Sequence, residues 1–231
     1  FFEEEDFYFR KTENFLSSII YKSGAGSLKD KNPGIRLLNV SASKELFEET
    51  AKKELPSISD ECGKKMADVI RLAAENADSV GATIECAITG FPAGIGSPMF
   101  DGIENRISSA VFAVPTVKGI EFGNGFEATT LYGSENNDAY SIVDGEIQAT
   151  SNNAGGILGG ITTGMPLIFQ VGFKPTPSIA KEQDSVNLSR MENVTVSVHG
   201  RHDPAIVHRA RIVIDAVTAI AVYDMLSGRF G

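Results

Sequence analysis

The chain has 231 residues, 42% of them hydrophobic and 22% charged, with a formal net charge of −9. Such a chain is long and apolar enough to bury a core, which excludes intrinsic disorder. Its acidic balance excludes a nucleic-acid groove, which needs clustered Lys and Arg against phosphate, yet a few local cations suffice for a small anionic ligand.

Residues 1–56 carry the weakest pattern. The opening FFEEEDFYFR has no Met and lacks the basic-then-apolar order of a secretory signal, so it reads as the interior of a longer sequence. The turn formers from Ser23 to Gly34 predict a surface loop. No apolar run reaches the roughly 20 residues of a membrane span. That points to no membrane, and the two cysteines, Cys62 and Cys86, too few for a disulfide framework and without metal-ligand spacing, point to a reducing cytoplasm and no metal.

From Asp60 to Ala77 the residues Met66, Val69, Ile70, Ala73 and Ala77 recur at spacings of three and four, predicting an amphipathic helix. Ala82 to Thr89 alternates Ala82, Ile84, Cys86 and Ile88 against Thr83, Glu85, Ala87 and Thr89, predicting a strand with two different faces. Asp101 and Glu104 have capping-box spacing before the stripe Ile103, Ile107, Ala110, Val111, which predicts another helix. Strands are expected at Val117–Phe122, Glu127–Tyr132, Pro166–Phe173 and Asn193–His199. The longest helix is expected from Pro204 to Leu226, on Ile206, Ala210, Val213, Ile214, Val217, Ile220 and Ala221, with Asp203 capping it and Pro204 at its first position. Strands and helices do not alternate regularly, so the fold is read as α+β with antiparallel pairing, in a single domain.

Three segments carry candidate chemistry. SNNAGGILGGITTGMP, Ser151 to Pro166, holds five glycines, which permit either tight backbone packing or the approach of a flat ligand. Its GGxxGG spacing is not the dinucleotide fingerprint. FKPTPSI, Phe173 to Ile179, is stiffened by Pro175 and Pro177 and presents Lys174, Thr176 and Ser178, one cation and two hydroxyls suited to a phosphate or a flavin carbonyl, or to a solvated loop. GRHDPA, Gly200 to Ala205, sets Arg201 and His202 beside Asp203. His199, His202 and His208 fit no common zinc motif, and His199 is expected to face solvent. The run Asn136, Asn137, Asp138 is most simply a turn.

In this order, DSVGATIE, FPAGIGSPMFD, VKGIEFGNGF, GSENNDA, SNNAGGILGGITTGMP, FKPTPSI and GRHDP resemble the successive signature segments of the chorismate synthase family, over roughly residues 60–226, with residues 1–56 matching loosely. The resemblance implies a β-α-β sandwich with helices between antiparallel sheets, assembled as a homotetramer. It implies anti-1,4 elimination of phosphate from 5-enolpyruvylshikimate 3-phosphate, giving chorismate, with reduced FMN as cofactor. By motif, Pro115, Thr116, Gly159, Lys174, Pro175, Thr176, Pro177, Ser178 and Arg201 match FMN-contacting positions. Asp203 matches a carboxylate that assists deprotonation, with His202 beside it as the second catalytic candidate. The family's two active-site histidines and several phosphate-binding arginines belong to an N-terminal part not matched here. A catalytically silent flavin-binding or oligomer-forming homologue is therefore the alternative.

Overall fold

The computed structural model describes residues 16–22, 44–53 and 55–230. The loop expected at 23–34 lies outside them. In chain order the elements are β1 (Leu16–Lys22), α1 (Lys44–Ala51), α2 (Asp60–Glu75), β2 (Ala82–Ile88), α3 (Ile103–Phe112), β3 (Val117–Phe122), α4 (Gly133–Asn136), β4 (Tyr140–Val143), β5 (Glu146–Ala149), β6 (Ile157–Leu158), β7 (Ile161–Thr162), β8 (Leu167–Phe173), β9 (Gln183–Asn187), β10 (Glu192–Val196) and α5 (Val207–Phe230), with 3-10 turns at Met99–Asp101 and Gly125–Thr130. Helices and antiparallel strands are mixed irregularly, so the fold is α+β.

One four-stranded antiparallel sheet, in the order β1-β2-β8-β3, organises the molecule. Period-two alternation sends Ala82, Ile84, Cys86 and Ile88 to the same face as their register partners Phe173, Val171, Phe169 and Leu167. Onto that face pack Ile103, Ile107 and Val111 of α3 and Ala210 and Ile214 of α5, in one core cluster. Each fully buried Ile or Val contributes about 1.5–3 kcal/mol, so this layer is the main source of stability. α3 lies along α5, and α5 also reaches β1 and β2.

The other face of β2 departs from expectation, because Glu85 and Ala87 are buried too. β2 is central, between β1 and β8, and Glu85, Gln170 and Glu121 align across three strands. There Gln170 Nε2 donates to Glu121 Oε1 at 2.7 Å.

Several local expectations are corrected. α3 is capped by Gly102 with no side-chain cap, so Asp101 and Glu104 form no capping box. Asp101 instead closes a 3-10 turn and faces Arg106 at 4.0 Å. Residues 127–132 are not a strand, because Thr129 and Thr130 hydroxyls donate back to Phe126 and Glu127 carbonyls and hold a 3-10 turn. The final helix begins at Val207 rather than Pro204. Asp203 pairs with Arg209 instead of capping, and the Pro204 carbonyl accepts from Val80 N at 2.8 Å. Of the stripe expected on α5, Val213 and Ile220 are exposed. They lie with Ile212 and Tyr223 on a second apolar face, away from the sheet. No described helix is long and apolar enough to cross a membrane.

Candidate functional site

The end of the sheet where β8 finishes and β3 begins gathers most of the chemistry. β8 stops at Phe173 because Pro175 and Pro177 lack the N–H that a ladder needs. The extended Lys174–Ser178 segment is then held by other groups. Lys174 N donates to Thr116 O at 3.0 Å. Ser79 Oγ donates to Thr176 O at 2.7 Å. Thr176 Oγ1 donates to Asp203 O at 3.1 Å, and Ser178 Oγ lies 3.2 Å from His202 Nδ1. Two loops far apart in sequence are thus fastened side by side.

Lys174 and Arg201 are exposed and form no ion pair among the described residues, so their charge is directed at solvent or a ligand. Asp203 is half-buried with its carboxylate matched by Arg209. His202 has both ring nitrogens engaged, Nε2 lying 2.8 Å from Val198 O.

Pro115 and Thr116 belong to the same edge. Thr116 adopts φ +74°, a region that costs a β-branched residue steric energy. Its Oγ1 is shielded from solvent and meets no hydrogen-bond partner among the described residues. Strain of this kind concentrates where neighbouring structure over-determines the backbone, here by the bond from Lys174.

Gly159 stands elsewhere. It turns the β6-β7 hairpin, whose Gly160 O accepts from Ile103 N at the start of α3. That is the Leu167 end of β8, about 20 Å along the strand from Lys174. The glycine-rich run resolves into two uses. A Cβ on Gly160 would sit 2.5 Å from Ser97 O, so this glycine serves close packing. Gly159, at φ +59°, has nothing within 4 Å of where a Cβ would stand and opens outward.

Two residues in this region escaped sequence reasoning. Asp138, read as part of a turn, accepts from Ser151 Oγ at 2.6 Å, Asn153 N at 2.6 Å and Ala154 N at 2.9 Å, so it anchors the glycine-rich segment. Asp215, in the middle of α5, has its carboxyl pushed up to about 6 by burial, with Arg211 opposing the shift. An acid thirteen residues upstream of Ser151 gives no hint of its partners, and a mid-helix Asp reads as solvated.

The arrangement defines an α+β protein whose sheet edge carries two cations without an ion-pair partner among the described residues, beside two oriented hydroxyls. The comparisons with known proteins make this specific. A family model described as chorismate synthase matches residues 17–227. Chorismate synthases of Dehalococcoides mccartyi (50% identical over 162 residues, 70% of this chain and 44% of that protein) and Methanococcus maripaludis (47% over 188 residues, 80% and 50%) are similar. A solved structure titled "Crystal Structure of Chorismate Synthase" superposes with a TM-score of 0.68 at 28% identity, covering 94% of this chain and 56% of that one. The chain belongs to the chorismate synthase family, and it spans about half the length of these curated relatives.

Proposed function

We propose that the protein containing this chain is a chorismate synthase, a carbon–oxygen lyase that eliminates phosphate from 5-enolpyruvylshikimate 3-phosphate in the shikimate pathway. The observation that carries the reading is the fastening of Lys174–Ser178 to Arg201–Asp203, which converts two sequence motifs into one cationic, hydroxyl-bearing edge. In the reaction a proton leaves one ring carbon, the carbon–oxygen bond to phosphate breaks, and phosphate departs with the electron pair. Reduced FMN, when bound, supplies an electron-rich ring to an elimination with no net redox change.

The residues present fit such a group. Lys174 and Arg201 supply charge for its phosphate, Thr176 and Ser178 supply polar contacts, and Pro115 and Thr116 form the adjoining wall. Gly159 offers an open backbone turn, but one flavin nucleotide would have to bridge the length of β8 to touch both it and Lys174. Asp203, held by Arg209, is the proposed proton acceptor, and His202, whose ring is held by Ser178 and Val198, is the second catalytic candidate beside it. The second apolar face of α5 supports burial against further protein surface, for which a homotetramer is the proposed assembly.

The test is an anaerobic assay of the complete gene product with 5-enolpyruvylshikimate 3-phosphate and reduced FMN. Equal release of inorganic phosphate and chorismate is expected. No phosphate release, from protein that is folded and flavin-loaded, would sink the proposal.

A further inference from the structure

The two hydroxyls of the Lys174–Ser178 segment are not free rotors. Thr176 Oγ1 lies 3.1 Å from the carbonyl oxygen of Asp203, which can only accept, so the Thr176 proton points inward. His202 Nε2 lies 2.8 Å from the carbonyl oxygen of Val198, so Nε2 must carry a proton. In the neutral ring Nδ1 is then an acceptor, and the Ser178 proton 3.2 Å away is directed to it. Both hydroxyls spend their protons on the protein and turn lone pairs outward.

We infer that Thr176 and Ser178 are acceptors toward the ligand, recognising its N–H or O–H groups, while Lys174 and Arg201 meet its phosphate. A phosphate dianion carries acceptors only and gains nothing from outward lone pairs, whereas a flavin's ring N–H and ribityl hydroxyls supply donors. His202 is a positioning residue in this scheme, acting through Ser178. The inference rests on the flavin reading above and assigns each part of the flavin to its own groups.

The experiment compares FMN with riboflavin, which lacks the phosphate, on the complete gene product. Ser178→Ala and Thr176→Val should each weaken both flavins alike, by about five- to tenfold for one neutral hydrogen bond. His202→Asn, whose amide oxygen can stand near the Nδ1 position, should retain more of the affinity than His202→Leu. The Ser178→Ala and His202→Leu losses should fail to multiply when combined. A Ser178→Ala loss seen with FMN and absent with riboflavin would overturn the inference, as would a ligand-free His202 ring found by nitrogen NMR to carry its proton on Nδ1 alone. Wild-type protein that binds neither flavin, with His202 protonated on Nε2, would overturn the flavin reading instead.

Discussion

The half-buried carboxyl of Asp215 shows how far local context can reverse a residue's ordinary behaviour. Asp215 is held at about 6 because burial against the sheet penalises its charge more than Arg211 relieves it. Its field also adds to the burial that pushes the Cys86 thiol up. A carboxyl whose folded pKa is raised binds its proton more tightly in the native state. Its contribution to stability is therefore fullest below the unfolded value near 4, is lost as pH rises to about 6, and is flat beyond. Asp215→Asn should raise stability at pH 8 by at most about 3 kcal/mol and leave it unchanged near pH 4. Urea midpoints at the two pH values check this; an equal effect at both would contradict it. Sequence could not show this, since Asp215 stands between the buried Ile214 and the exposed Ala216 and its burial is set by what α5 rests on. Thr116 was similarly opaque: its position was legible, its φ of +74° was not.

At the scale of elements, local pattern read well where packing and periodicity agree. Met66 and Ala73 do face the core from α2, and β3 runs over Val117–Phe122 as expected. Ala77, read as a fifth residue of the apolar stripe, instead follows the helix at φ +56°, where Ala77 N donates to Ala74 O and Asp78 N to Ala73 O. This is the left-handed C-terminal position that favours glycine. Ala77→Gly should therefore stabilise the protein by about 0.5–1 kcal/mol, read as a rise in melting temperature. A fall would show that the Lys181 N to Ala77 O bond, rather than helix termination, fixes that backbone. The failed strand at 127–132 has the opposite cause. Thr129, Thr130 and Tyr132 have high strand propensity, but no described strand pairs with them and the Thr129 and Thr130 hydroxyls close local turns.

Across the whole molecule, the candidate site was legible as segments and illegible as geometry. Lys174, Thr176, Ser178 and Arg201 stood out by residue type, yet only the fold sets Thr176 against Asp203 and Ser178 against His202 while leaving Gly159 at the far end of β8. The sandwich is legible only in part, since the described residues supply one four-stranded sheet, three two-stranded hairpins and a helix layer. Ile212, Ile220 and Tyr223 on the outer side of α5 are 65%, 69% and 49% exposed, an apolar face that further protein surface would cover by hydrophobic burial.

The central claim is that the edge built from Lys174–Ser178 and Arg201–Asp203 is where the flavin phosphate sits. It is tested most directly by titrating the complete gene product with FMN alongside its Lys174→Gln and Arg201→Gln variants. Each loss of a charge-assisted contact should weaken binding by at least about tenfold, without change in melting temperature. FMN affinity equal to wild type in both variants would place the flavin elsewhere and contradict the account.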